Sequence, residues 1–271
     1  MPQRKASPAA SSAYSYAELG SRQAHQAALA EECALAISYN DLNQAVMMVS
    51  PHHLEDFAIG FSLGNGLISS IDDIYDISIR GLAESREARL EVSSRCFWAI
   101  KQQRRQMAGS SGCGLCGVDA LEQALPKLQA LPGAPLPPLA HLQGLRERIG
   151  EQQQLARNSG ALHAALFIDG QGEIRLCRED IGRHNALDKL IGALARQRID
   201  TATGFALVTS RCSLELLHKA VRAGLGTLVS LSAPTALTVE WARRHRLNLI
   251  HLPHHSTPRV YSPAPVPEES A

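Results

Sequence analysis

Two cysteines three residues apart, Cys113 and Cys116, stand in the run Ser111-Gly112-Cys113-Gly114-Leu115-Cys116-Gly117. Thiols at this spacing can react with one another or share a ligand. Gly112, Gly114 and Gly117 strip side-chain bulk from the run, so a partner's backbone or active site can approach closely. Lys101, Arg104 and Arg105 lie just upstream, and Asp119–Leu125 has a helical pattern just downstream. Nearby cations and a helix N-terminus both favour thiolate, the attacking species, over thiol. The run therefore reads as a reactive dithiol. One thiolate takes a sulfane sulfur and carries it as a persulfide, and the second thiol releases that sulfur as a disulfide forms or holds the carrier ready. Three other readings stay open: a glycine-rich turn with two adjacent cysteines, half of a zinc site, and thioredoxin-like exchange. A zinc site needs two more ligands, and there is no second CxxC; His163, His251, His254 and His255 are far away in sequence. Thioredoxin-like exchange would put the pair between a first strand and a long helix, whereas here it sits mid-chain.

A second polar concentration is Glu179-Asp180-Ile181-Gly182-Arg183-His184-Asn185-Ala186-Leu187-Asp188-Lys189, between a strand pattern and a helix pattern. Backbone N–H groups point outward at such a junction and anions bind there. Arg183 can pair with phosphate or carboxylate, and His184 can move a proton. The plainer reading is a helix start capped by Asp180, with Arg183 and His184 in solvent. The order argues against zinc-deaminase chemistry: His163 is followed by Ala164-Ala165, and the cysteine pair lies upstream of it.

These groups need a frame. Among 271 residues, 45% are hydrophobic and 20% charged, a globular mixture. Lys plus Arg number 27 against 26 Asp plus Glu, so no global field draws the chain to nucleic acid or anionic lipid. No apolar signal region and no membrane-length apolar run is present, which predicts a soluble cytoplasmic protein with reduced thiols. Cys33, Cys96, Cys177 and Cys212 then read as buried small hydrophobes. Residues 1–28 read as a mobile tail. An N-terminal α+β region is expected over 29–137: a hairpin of Cys33–Tyr39 and Gln44–Val49 through Asn40–Asn43, a helix opened by Ser50-Pro51 and ended near Gly64–Gly66, and strands over Ile74–Ile79 and Leu90–Ser94. It ends in the cysteine loop and a linker holding Pro126, Pro132, Pro135, Pro137 and Pro138. An α/β domain follows over 138–262. It opens with a helical stretch, Leu139–Arg157, and then a hairpin of Leu162–Ile168 and Glu173–Cys177. Helices Asn185–Gln197, Leu214–Ala223 and Thr235–Arg246 alternate with strands Phe205–Thr209, Thr227–Leu231 and Asn248–Leu252. This pattern predicts an α/β mixed sheet with helices on both faces and ligands at the strands' carboxyl ends. Residues 263–271 read as a loose tail.

The cysteine run, Gly160-Ala161-Leu162-His163-Ala164-Ala165, and the Glu179–Lys189 segment together resemble the FdhD family, with Val46-Met47-Met48 and Phe57-Ala58-Ile59-Gly60-Phe61 adding to the match from about residue 30 to Tyr261. The resemblance implies a sulfur carrier, or sulfurtransferase, required for formate dehydrogenase activity. It implies that Cys113 bears a persulfide received from a cysteine desulfurase, with Cys116 as its companion. It implies a cytidine-deaminase-like fold and a homodimer. The sulfur would pass to molybdenum bis(molybdopterin guanine dinucleotide), bound as substrate through its guanine nucleotide, with no permanent metal. By position that cofactor would be held by Leu252, Pro253, His254, His255, Ser256 and Thr257, with His163, Arg183 and His184. Where relatives carry a Lys-Pro-Gly-Arg type stretch, this chain has His254-His255-Ser256-Thr257, so histidine and threonine replace basic side chains, with Arg259 close by. A zinc-stabilised binding protein and a nucleotide-binding scaffold for formate dehydrogenase assembly are the alternatives.

Overall fold

A computed structural model describes residues 13–82, 84–109 and 126–265. Strands β1 (Ala13–Ala17) and β2 (Ala24–Ala28) pair antiparallel as a solvent-exposed ribbon, inside the stretch whose composition suggested only a tail. Two lobes follow, each built on one sheet.

The first sheet has the order β4-β3-β6-β5. It comprises β3 (Cys33–Tyr39), β4 (Leu42–Val49), β5 (Ile74–Leu82) and β6 (Ser85–Val92). Asn40 and Asp41 both adopt positive φ, 45° and 62°, so a two-residue turn replaces the expected four-residue one and β4 starts at Leu42. β6 starts earlier than the Leu90–Ser94 pattern suggests, because its exposed face alternates with buried Ala88, Leu90 and Val92. Helices α1 (Leu54–Gly64) and α2 (Ser94–Gly109) cover one face, around Leu35, Ile37, Tyr39, Phe57 and Ile100. α1 does not open on Ser50-Pro51. His53, at φ 55°, occupies the cap position without a side-chain cap, and Ser50 is buried in contacts with the second lobe.

The second sheet has the order β12-β11-β10-β9-β7-β8. Its strands are β7 (His163–Asp169), β8 (Ile174–Asp180), β9 (Gly204–Arg211), β10 (Thr227–Ser232), β11 (Asn248–His251) and β12 (Arg259–Ser262). β9, β10 and β11 run parallel, while β7 and β12 run against their neighbours β9 and β11. The expected helical stretch over Leu139–Arg157 is three pieces: α3 (Leu139–Leu142), α4 (Leu145–Gln152) and α5 (Ala156–Ser159). Extended backbone at Gln143 and Gln153 and a left-handed Gly144 interrupt it. Leu142, Leu145 and Ile149 cover one face of the sheet. The other face carries α6 (Arg183–Arg196), α7 (Leu214–Arg222) and α8 (Ala236–Arg244), packed through Leu187, Leu190, Leu217 and Trp241. This is the mixed sheet with helices on both faces that the alternating pattern predicts. The proline-rich stretch forms no regular element, yet it is laid onto this lobe. Leu131 is buried, its N–H donates to the His245 carbonyl, and Asn248 Nδ2 donates to the carbonyls of Ala134 and Pro135.

The lobes meet where α1 crosses α6. A methyl group placed on Gly60 would overlap the Asp188 carbonyl, and one on Gly192 would overlap the Asp56 carbonyl. The two backbones therefore touch directly. Beside the crossing, buried Asp56 accepts from Arg178 Nε at 2.8 Å and from Arg196 at 2.7 Å. Among the described residues, no helix is long and apolar enough to cross a membrane.

Candidate functional site

Cys113, Cys116 and the expected helix Asp119–Leu125 lie outside the described residues. Their flanks are described. α2 ends at Gly109, four residues before Cys113, and the chain is described again from Pro126, ten residues after Cys116. Pro126 lines a cavity of 370 Å³ between the lobes. Phe61 and Asn65 contribute from the first lobe, and His184, Asp188, His218 and Lys219 from the second. Asp188 is bound by Lys219 Nζ at 2.8 Å; burial nevertheless raises its carboxyl to about 6, against the pull of that ammonium. His218 Nε2 is buried with no hydrogen-bond partner among the described residues.

A second concentration of polar groups lies at the carboxyl edge of the parallel strands. The register sets Ser232 opposite Arg211 and Ser230 opposite His251, and it pairs His163 with Asp180. The Ala164 N–H donates to Thr209 Oγ1 at 2.9 Å, closing the edge between β7 and β9. α6, α7 and α8 follow β8, β9 and β10 directly, so all three helix N-termini face this edge. Each carries a partial positive charge; Gly182 and Ser213 make no side-chain cap on α6 and α7, whereas Thr235 Oγ1 accepts the Thr238 N–H at the start of α8. Together they favour an anionic ligand such as a phosphate. Among the described residues His251 Nδ1 is buried here without a partner, and burial holds the ring toward its neutral form.

The Glu179–Lys189 segment divides into structural and accessible groups. Glu179 accepts the N–H groups of Gln154, Leu155 and Ala156 at 2.8–2.9 Å, fixing the start of α5. Asp180 accepts from the Ser50 N–H, the Gly182 N–H and Asn185 Nδ2, and pairs with Lys189 Nζ at 2.6 Å, all within the protein interior. Gly182, not Asp180, occupies the cap position of α6, which begins at Arg183. Arg183 and His184 remain half-buried at the edge. His184 Nε2 lies 2.7 Å from Glu215 and 3.4 Å from Ser213 Oγ. Burial pushes His163 and His184 toward the neutral form; the Arg183 charge adds to this at His163, and Glu215 opposes it at His184.

The remaining expected residues form the β11–β12 connection at the same edge. Leu252 is buried and its N–H donates to the Ser230 carbonyl at 2.8 Å. His254, His255, Ser256 and Thr257 are exposed, with the two imidazole centroids 4.2 Å apart. The structure thus gathers His163, Arg183, His184 and the 252–257 segment along one sheet edge. Sequence reasoning missed Arg146, which holds that segment in place. Its guanidinium donates to the Leu231 carbonyl at 2.7 Å, the Leu252 carbonyl at 2.5 Å and the Pro253 carbonyl at 3.3 Å. Nothing in a charged helical stretch signals acceptors 85 and 106 residues away. In the sequence His251 stands out only as a distant zinc-ligand candidate. Among the described residues, no group of three or more His, Cys, Asp or Glu can hold a metal ion.

A sulfur carrier protein FdhD from Bordetella petrii is 43% identical over 235 residues, covering 86% of this chain and 84% of its own length. One of the same name from Xanthomonas euvesicatoria pv. vesicatoria is 43% identical over 238 residues, covering 86% and 83%. A crystal structure described as a formate dehydrogenase accessory protein, from Desulfotalea psychrophila, superposes with a TM-score of 0.72 at 22% identity, over 95% of this chain and 96% of that one. The FdhD/NarQ family model matches residues 30–265, which span both lobes, the carboxyl edge and the cysteine pair, and the chain belongs to that family.

Proposed function

We propose that this protein is a sulfur carrier for formate dehydrogenase, acting through a persulfide on Cys113. The observation that carries the reading is the near-full-length similarity to relatives named sulfur carrier proteins, in a chain with one close cysteine pair. The Cys113 thiolate attacks the terminal sulfur of a persulfide on a cysteine desulfurase. The donor's S–S bond breaks, its cysteine leaves as thiolate, and Cys113–S–SH forms with no net change of oxidation state. Cys116 thiolate then attacks the Cys113 sulfur. A Cys113–Cys116 disulfide forms, hydrosulfide leaves for the metal, and a thiol reductant restores the pair.

The acceptor we propose is molybdenum bis(molybdopterin guanine dinucleotide), bound as substrate. Three helix N-termini along one sheet edge, Arg183 and the buried His251 Nδ1, which has no partner among the described residues, suit the phosphates and polar edges of its guanine nucleotide. The exposed His254–Thr257 segment borders the same edge. A homodimer acting in the cytoplasm, where thiols stay reduced, completes the reading.

The test is loading with a cysteine desulfurase and L-cysteine, read by intact mass. Wild type gains one sulfur and Cys113→Ala gains none. Equal loading of Cys113→Ala refutes the assignment. A Cys113→Ala/Cys116→Ala protein that still sustained formate dehydrogenase activity in cells would instead indicate a nucleotide-binding scaffold.

A further inference from the structure

The helix that leads into the cysteine pair has two unlike sides. Cys96 and Ile100 of α2 are buried in the first lobe's core, with Phe97 packed beside them. On the opposite side Ser94, Arg95, Trp98, Ala99 and Gln102 are exposed, and the Trp98 indole is 62% accessible. Tryptophan rarely stands so free on a monomer surface and is enriched at the centres of protein interfaces. Lys101 Nζ lies 4.6 Å from the Phe97 ring centroid and 5.2 Å from that of Trp98, so a cation sits against the aromatic surface. Arg95 reaches Asp73 at 3.1 Å while its side chain stays 79% exposed.

The helix sequence, SRCFWAIKQQRRQMAG, holds Arg95, Lys101, Arg104 and Arg105 and no acidic residue. In a chain of 27 basic and 26 acidic residues this charge is local. The helix ends at Gly109, four residues before Cys113. The end of the helix is therefore within about 15 Å of chain reach of the first thiol, and Trp98 lies about 17 Å of helix before that end. A thiolate can take sulfur only from a donor sulfur brought to it, and that argues for a protein rather than a nucleic acid or membrane as the occupant. The exposed stripe carries one aromatic residue among polar ones, which is also unlike a membrane-binding face.

The geometry points to the exposed face of α2 as the docking surface for the sulfur-donating protein, which would offer an acidic patch with an apolar notch for the Trp98 indole. This inference rests on the carrier reading above and names the partner surface for its first step. Electrostatic attraction steers the encounter, and the indole sets the residence time.

The experiment compares full-length wild type with Trp98→Ala and Lys101→Glu. Each is loaded either by a cysteine desulfurase with L-cysteine or by inorganic polysulfide, and Cys113 persulfide is read by intact mass over time. Both substitutions are expected to slow enzymatic loading by about tenfold at subsaturating donor, as a lost hot spot does. Wild-type loading should slow with added salt, and polysulfide loading should be the same in all three proteins. Equal enzymatic rates in wild type and both variants overturn the docking inference. So does wild-type binding to a DNA oligonucleotide or phosphatidylserine vesicles that both variants lose while keeping the wild-type enzymatic rate. A wild-type protein that takes sulfur from neither source overturns the carrier reading, and the docking inference with it.

Discussion

Lys189→Met removes a cation that the fold has closed off from solvent completely. Its ammonium donates to Asp180 Oδ2 at 2.6 Å, to the Ser50 carbonyl at 3.0 Å and to the Glu179 carbonyl at 3.2 Å. Methionine is close in volume, so the cavity contribution is small. What remains is a buried Asp180 carboxylate without its counter-ion, and breaking such a pair costs roughly 3–5 kcal/mol. Asp180 keeps three donors, the Ser50 N–H at 3.0 Å and the Gly182 N–H and Asn185 Nδ2 at 2.9 Å each. These donors place the expected loss at the lower end, about 3 kcal/mol. Urea unfolding at pH 7, followed by far-ultraviolet circular dichroism, measures it. Adding Asp180→Asn to Lys189→Met should return more than about 1 kcal/mol, because the stranded charge is gone. A loss below about 1 kcal/mol for Lys189→Met alone would refute the claim that the buried Asp180 carboxylate depends on Lys189 as its counter-ion.

Two further outcomes follow from other parts of the molecule. The buried His218 ring has its pKa pushed down from 6.5 to about 4 by burial, with Arg222 and His245 adding to the effect. The unfolded chain therefore takes up this proton first as pH falls. The contribution of His218 is complete above 6.5 and is lost as pH falls toward 4, by about 3 kcal/mol in all. His218→Gln should flatten the stability profile across that window, and profiles parallel to wild type in urea titrations would contradict the reasoning. Arg146→Met should weaken GDP binding about tenfold by calorimetry, through loss of the three carbonyl contacts that shape the 252–257 segment. Arg146→Lys should restore part of the affinity, and an unchanged dissociation constant in Arg146→Met would exclude a positioning role.

The alternation of helix and strand patterns was legible because the second lobe obeys it: apolar runs such as Ala164–Ile168 and Leu207–Val208 are buried on both faces. The three sheet-covering helices were legible because their apolar residues, such as Leu187, Leu190 and Leu217, recur at helical spacing and pack on the core. The breaks in the Leu139–Arg157 stretch were not, because an extended Gln143 carries no composition signal. Arg183, His184 and His163 were visible as polar residues near predicted strand ends, and the sheet does gather them. The burial of Glu179, Asp180 and Lys189 was hidden, because their partners lie in Ser50 and in Gln154–Ala156. A polar-rich motif does not by itself separate groups that meet a ligand from groups that bolt the frame. Ser50 shows the same limit. Ser-Pro reads locally as a helix start, but its hydroxyl is taken by the Ile181 N–H of the other lobe.

The glycine crossing of α1 and α6 has a consequence for how the molecule comes apart. Backbone touches backbone at Gly60 and Gly192, so neither lobe can slide or hinge past the other without first losing that contact. Heating should melt both lobes in one transition, and either lobe made alone would expose a narrow groove lined by helix backbone.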